Sequence, residues 1–289
     1  MTVKNIAHSR KAKLLLLADK DNKKYQQMLI RYFNERFLKR LSKSAYRNSF
    51  ILKGGSLLFA YEEFIPRPTL DIDFLGNRIN NDAQIIKDAF AVIIQTQVQD
   101  DGVQFHPETI QSEPITVEKK YPGIRITFDV SLDSIRKTLM MDIGFGDIIT
   151  PHPVEMEYPV IFEDSETINL VAYSLETVVA EKFQTMIERS VTNSRMKDFF
   201  DLYRILSAHQ FDKTILQDAI NATFANRHTA YIAEHSLFGE DFKHDRNKML
   251  QWDNYLKKMK LPRDKTFTEV VTFITNKLRP YWESLPSNT

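Results

Sequence analysis

The chain of 289 residues contains no cysteine. That absence excludes disulfides, thiolate nucleophiles and cysteine-built zinc sites, and it fits a cytoplasmic protein. An excess of one charge is also missing: 39 Lys and Arg face 38 Asp and Glu, for a formal net charge of +1. No global field therefore draws the chain to nucleic acid or to a membrane surface, and any basic surface has to be local. Long apolar runs are lacking too. The strongest early one, Leu14 to Ala18, is five residues, too short for a signal-peptide core or a membrane span. No internal repeat or low-complexity segment stands out. These exclusions predict a soluble intracellular protein with one large domain or two modest ones.

The most informative stretch runs from Phe50 to Leu75. Phe50 to Leu52 reads as a short apolar strand that breaks at Gly54-Gly55 and enters a helix. Ser56 stands at the break, where its hydroxyl is expected to cap the helix. First-turn N–H groups and the positive helix end make such a junction a phosphate seat, and glycine lets the backbone approach a ligand closely. Downstream comes Asp71-Ile-Asp73-Phe-Leu75, preceded by Leu70. Alternation along a strand puts Asp71 and Asp73 on one face and Leu70, Ile72 and Phe74 on the other. Two carboxylates sharing a face repel each other and favour a bound cation. Fourteen residues separate Ser56 from Asp71, and Pro66 and Pro68 mark this spacer as a loop.

Around this stretch the pattern predicts a short helix from Ser9 to Leu17. A longer one carries Tyr25, Met28, Leu29, Tyr32, Phe33, Phe37 and Leu41 at spacings of three and four, a core-facing stripe. Asp82 to Gln97 reads as an amphipathic helix. Gly123 to Val130 and Leu139 to Asp147 read as two strands of a hairpin. Asp142 interrupts the second of these between Met141 and Ile143, sharing its face with Met140 and Gly144. A carboxylate there has to be solvated, paired or on a metal; the metal-facing reading competes with that of a strand-end Asp capping a turn. Asp147 reads as a turn residue. Pro151, Pro153 and Pro159 mark an irregular crossing with a short strand expected at Val160 to Phe162.

From Ser174 onward the composition is helical, which predicts a first domain over 1–168 and a helical one over 169–289. Ser174 looks like the cap of a helix that carries Lys182 on or beside its apolar face, where a lysine is ordinarily a packing stem with its head in water. A further helix begins near Arg195. Asp198 and Asp201 lie three apart on one face of it, in reach of Arg195, Lys197 or Arg204. His228, His235 and His244 suit no common metal spacing and read as surface residues.

Taken together, Phe50-Ile-Leu-Lys-Gly-Gly-Ser with Asp-Ile-Asp, then Met-Asp-Ile-Gly-Phe-Gly-Asp, Ala-Glu-Lys, and Arg-x-Lys-Asp-Phe-Phe-Asp-Leu-Tyr resemble the AbiEii/AbiGii toxin family, within the polymerase-β-like nucleotidyltransferase superfamily. The likeness covers most of the chain, from about Tyr25 to the segment after Trp252. It implies an α+β fold: a mixed sheet flanked by helices, followed by a helical C-terminal domain. It also implies a nucleotidyltransferase toxin of a bacterial type IV toxin–antitoxin or abortive-infection system, with a cognate antitoxin. Such an enzyme takes a nucleoside triphosphate and releases pyrophosphate, with a tRNA 3′ end as acceptor.

On this resemblance Asp71, Asp73 and Asp142 hold Mg²⁺, with Mn²⁺ as a substitute, while Gly54, Gly55 and Ser56 cradle the phosphates. Lys182 neutralises the leaving pyrophosphate, and Asp198 holds that lysine or orients the acceptor. Arg189, Arg195 and Lys197, around a polar loop with few opposing acids, are expected to grip the RNA backbone. Two other readings stand beside this one: a small-molecule nucleotidyltransferase of the antibiotic-modifying sort, and a non-catalytic nucleotide- or partner-binding module.

Overall fold

The computed structural model describes residues 5–61, 71–115, 123–163 and 165–285. Leu70, Pro66 and Pro68 lie outside the described residues. The chain divides into two compact units, one of residues 1–146 and 154–172 and the other of residues 147–153 and 173–289.

The first unit begins with α1 (Ile6–Leu17) and α2 (Asn22–Lys43), then β1 (Phe50–Lys53), α3 (Gly54–Tyr61), β2 (Ile72–Gly76) and α4 (Ala83–Gln95). There follow β3 (Val103–Ile115), β4 (Gly123–Leu132), β5 (Ile135–Gly144), β6 (Val154–Tyr158) and β7 (Ile168–Ala172). The strands form a mixed seven-stranded sheet in the order β3-β4-β5-β2-β1-β7-β6. Its centre is β2, parallel to β5 on one side and antiparallel to β1 on the other. The hairpin expected from residues 123–147 is there as β4 and β5.

Period-2 alternation explains the sheet's two faces. Ile124, Ile126 and Phe128 of β4, Met141 and Ile143 of β5, and Ile72 and Phe74 of β2 are buried, while the residues between them are less so. The stripe on α2 packs here: the Phe37 ring lies 5.4 Å from Phe90 of α4 and 5.7 Å from Phe128. Burying each such ring contributes roughly 1.5–3 kcal/mol. Asp21 caps α2 through the Lys24 N–H, and Asp82 caps α4 through the N–H groups of Gln84 and Ile85.

The α2 helix is buried on more than its apolar stripe. Glu35, Arg36, Lys39 and Arg40 are all buried as well. Each has a partner: Arg36 pairs with Glu35, Lys39 with Glu166 and the Thr167 carbonyl, and Arg40 with Asp101 at 2.8 Å. Glu35 also accepts from the Ile161 N–H at 2.8 Å. The segment 160–162 expected as a strand is therefore irregular chain. It lies between β6 and β7 and is anchored to α2 by Glu35 and by the edge-on pair Tyr32–Phe162. The long edge strand β3 has no counterpart in the sequence reading. Pro107 and Pro114 interrupt it, its pattern is polar, and its pairing shifts register between His106 and Gln111.

The second unit is helical: α5 (Leu175–Arg189), α6 (Met196–Ala208), α7 (Lys213–Asn226), the short α8 (Glu240–Lys243), α9 (Arg246–Met259) and α10 (Phe267–Glu283). Ser174 caps α5 as expected, accepting from the Thr177 N–H and donating to the Thr150 carbonyl at 2.6 Å. Thr266 and Glu269 form a reciprocal capping box at α10. Phe183, Phe199, Phe224, Trp252, Phe267 and Trp282 are buried in the helical core.

Candidate active site

The site in the first unit is built where β1 turns into α3. Gly54 has φ +71°, a conformation that side chains disfavour, and a Cβ on it would lie 2.0 Å from Asp73 Oδ2. The Gly-Gly turn thus closes directly onto one carboxylate of the Asp-Ile-Asp pair. Ser56 differs from expectation. The helix begins at Gly54, so Ser56 sits buried in its first turn, and its hydroxyl donates to the Asp71 carbonyl at 3.0 Å instead of capping the helix. It ties the first turn of α3 to the chain entering β2.

Strand register then assembles a charged row. Lys53 of β1 is opposite Asp73 of β2, Asp73 is opposite Asp142 of β5, Asp142 is opposite Arg125 of β4, and Arg125 is opposite Glu113 of β3. Directly opposed residues share a face, so five charged side chains from five neighbouring strands lie on the face away from the Phe37 cluster. Asp71, exposed just before β2, falls on the same face by alternation. The structure thus brings Asp73 and Asp142 side by side, with Asp71 next along the strand.

Arg125 is the residue that sequence reasoning missed. Its Nε donates to Asp142 Oδ1 at 2.8 Å and its Nη2 to Asp142 Oδ2 at 2.9 Å, a two-pronged contact. Its Nη1 lies 3.8 Å from Glu113 Oε1. The hydrogen bonds to Asp142 lead the effects that raise the affinity of this guanidinium for its proton; the fields of Asp142, Glu113 and Asp71 add to them against a smaller cost of burial. Alternation along β4 puts Arg125 on its less buried face, and the pairing of β4 with β5 shows what it meets.

Among the described residues, no three His, Cys, Asp or Glu side chains converge as a ready metal cage. The donors nonetheless suit Mg²⁺. Asp71 and Asp73 carry hard oxygen donors, and Mg²⁺ is ordinarily held by one or two carboxylates together with substrate phosphates.

In the second unit, Lys182 is more than a packing stem. Its Nζ donates to Asp198 Oδ1 at 2.9 Å and to Asp201 Oδ2 at 2.8 Å, and both acids are buried. Both aspartates therefore meet the lysine, and Asp198 also accepts from Arg195 Nε at 2.6 Å. Burial alone would raise the Asp198 pKa, but Lys182 and Arg195 outweigh it and hold the carboxyl well below the usual range. Arg195 is thus committed to Asp198, whereas Arg189 and Lys197 are exposed. Buried Lys248 fixes the intervening loop by donating to the carbonyls of Val191 and Asn193.

Asp147 belongs to a different network of the same unit, 3.0 Å from Arg227, which also meets Glu181 at 3.0 Å. His228 and His244 are exposed, as expected, but His235 is buried. A carbonyl can only accept, so the contact between His235 Nε2 and the Ile187 oxygen at 3.0 Å requires Nε2–H. Nδ1, in turn, is bare and accepts from the Leu237 N–H at 3.2 Å. Spacing along the sequence carried no sign of this.

The chain belongs to the family described as nucleotidyl transferase AbiEii toxin, type IV toxin–antitoxin system, which it matches over residues 36–276. Membership implies a nucleotide substrate and an antitoxin partner. Two crystal structures are similar in outline. One is described as a nucleotidyltransferase from H. pylori, at 14% identity and TM-score 0.48, covering 90% of this chain and 96% of the other. The second is JHP933 from Helicobacter pylori, at 15% identity and TM-score 0.48, covering 90% and 93%. No curated protein matches the chain. No helix among the described residues is long and apolar enough to cross a membrane.

Proposed function

We propose that this chain is a Mg²⁺-dependent toxin that transfers a nucleotide from a nucleoside triphosphate to the 3′ end of a tRNA, in the cytoplasm, in an abortive-infection setting. The observation that carries this reading is the fit of Gly54 to the Asp73 carboxylate, with Asp142 opposite Asp73 in register. It sets the proposed phosphate seat beside the carboxylates proposed for the cation, within one unit.

In the proposed reaction the acceptor hydroxyl oxygen bonds to the α-phosphorus. The bond from that phosphorus to the oxygen bridging to the β-phosphate breaks, and pyrophosphate leaves. The hydroxyl proton passes to solvent or to a carboxylate of the site. Asp71 and Asp73 would hold Mg²⁺, which when bound neutralises phosphate charge and polarises the reacting phosphoryl group. Backbone N–H groups of Gly55 and Ser56, at the positive end of α3, favour the β- and γ-phosphates. Asp198 is assigned the positioning of the Lys182 ammonium, which it meets at 2.9 Å. Arg189 and Lys197 are assigned to the RNA backbone, and Arg195 to buried Asp198.

The test is transfer of radiolabel from each of the four α-labelled nucleotides to bulk RNA, with and without Mg²⁺. Transfer should require the metal and fall at least about 100-fold in Asp73→Ala, as removal of a metal ligand costs more than loss of its outer partners. Melting should stay near wild type. Label that moves to a small-molecule acceptor but not to RNA would replace the tRNA assignment, and full activity of Asp73→Ala would sink the site.

A further inference from the structure

We propose that Arg125 sets how many cations the site holds: it withholds Asp142, so that the nucleotide-free protein takes a single divalent cation on Asp71 and Asp73. The inference rests on the proposed function for the identity of that pair and goes beyond it in assigning Arg125 a positioning role. Three observations support it.

First, both oxygens of Asp142 are engaged by Arg125, at 2.8 and 2.9 Å. A metal on Asp142 has to displace a planar fork that matches the carboxylate in geometry as well as charge. Second, Arg125 does not hang free on its other side, because Glu113 approaches it at 3.8 Å from the next strand. The guanidinium is thus held between two acids on neighbouring strands, and leaving Asp142 costs it more than one partner. Third, Asp73 and Asp142 are direct neighbours on parallel strands, where spacing is about 4.8 Å. Two carboxylates so close repel unless a cation offsets them. Arg125 already supplies that cation from the β4 side. The side chains of Arg125 and Asp142 are 32% and 26% exposed, so the pair is partly shielded from water and resists screening better than a surface contact.

The residue that decides the second metal position is therefore a cation carried by the protein. Asp142 becomes available to metal only when Arg125 lets go, and a triphosphate, with its denser charge, is the chemistry able to draw the guanidinium away.

The probe is Mn²⁺ alone, titrated into the full chain and counted by electron paramagnetic resonance and calorimetry. Wild type should bind one ion. Arg125→Gln, which keeps the length and removes the charge, should bind two over the concentration range in which wild type binds one, a doubled count. Arg125→Lys, which gives a point contact in place of the fork, should fall between the two. The added site should vanish in the double variant Arg125→Gln with Asp142→Asn. Melting curves of each variant establish that the fold is kept, and Arg125→Lys carries the test if Arg125→Gln does not fold. Two ions in wild type, or one in wild type and one in both Arg125 variants, would overturn the inference while leaving the Asp71–Asp73 pair standing. No ion in nucleotide-free wild type would overturn the inference, and none with a non-transferable triphosphate analogue present would overturn the Asp71–Asp73 pair as well.

Discussion

Gly54 and Asp73 are fitted to each other so closely that a single methyl group on the first would occupy the carboxylate oxygen of the second. Gly54→Ala should therefore act twice. Alanine at φ +71° costs about 1–2 kcal/mol in backbone strain, a drop of several degrees in melting temperature at roughly 2–4 °C per kcal/mol. The displaced carboxylate should also abolish nucleotide transfer. Thermal denaturation alongside a transfer assay separates the two effects, and wild-type transfer would show that Asp73 need not sit where it does.

Lys182→Met gives a prediction with a definite sign in pH. In the wild type, Asp198 titrates below its ordinary value in the folded state. Its ion pair therefore adds stability that is complete above about pH 4 and lost as pH falls through the depressed folded value. Methionine removes the ammonium but keeps the bulk, leaving buried Asp198 with Arg195 and taking one partner from buried Asp201. The cost near neutrality is about 3–5 kcal/mol. Because protonation relieves a buried charge, the variant should regain stability relative to wild type on acidification from pH 7 to pH 5. Chemical denaturation at both values measures this. A gap between the proteins that stays constant would show that the ammonium does not govern the two acids.

His235 supplies an independent acid response. Burial pushes its ring below the ordinary imidazole range, and the hydrogen bond to Ile187 offsets only part of that. The folded state thus favours the neutral ring. Its contribution is present above about pH 6.5 and is lost as pH falls through the lower folded value. His235→Gln retains an N–H donor for the Ile187 carbonyl without a titrating ring. The variant should show a flatter dependence of melting temperature on pH between 7 and 5, and an unchanged slope would place the acid response elsewhere.

Among the three cations expected from the sequence to meet RNA, the structure separates one from the others. Arg195 is bonded to buried Asp198, whereas Arg189 and Lys197 are exposed. Charge-neutral substitutions at Arg189 and Lys197 should each lower the salt slope of tRNA binding by about 0.7–0.9. Arg195→Gln should mainly reduce stability. A purified tRNA-binding assay over a range of salt concentrations checks this, and slopes that stay at the wild-type value would remove the loop from the RNA interface.

The parts legible in the sequence were those governed by short-range periodicity. The face shared by Asp71 and Asp73, the α2 stripe, the Ser174 cap and the β4–β5 hairpin all follow from spacings of two, three or four residues. What escaped depends on partners far along the chain. Arg125 could be placed on a face but not opposite Asp142, since that needs the register of two strands. Ser56 looks like a cap until α3 is seen to start two residues earlier. His235 lies buried because helices close over it, which its distance from other histidines does not reveal. Strand β3 escaped because prolines and polar residues, tolerated at a sheet edge, conceal the alternation.

The alternation in β5 has a consequence for the population of molecules. The positions flanking Asp142 are Met141 and Ile143, both buried against the aromatic core. If the β4–β5 hairpin slipped by one residue, every side chain of the strand would change faces. Asp142 would enter the core without Arg125, at a cost of several kcal/mol, while two apolar side chains would be left in water. A folded isomer with a displaced carboxylate therefore has no stable basin. Errors in this hairpin should remove protein from the folded pool instead of filling it with intact but inactive copies, so specific activity per folded molecule should stay uniform even when folding yield is poor.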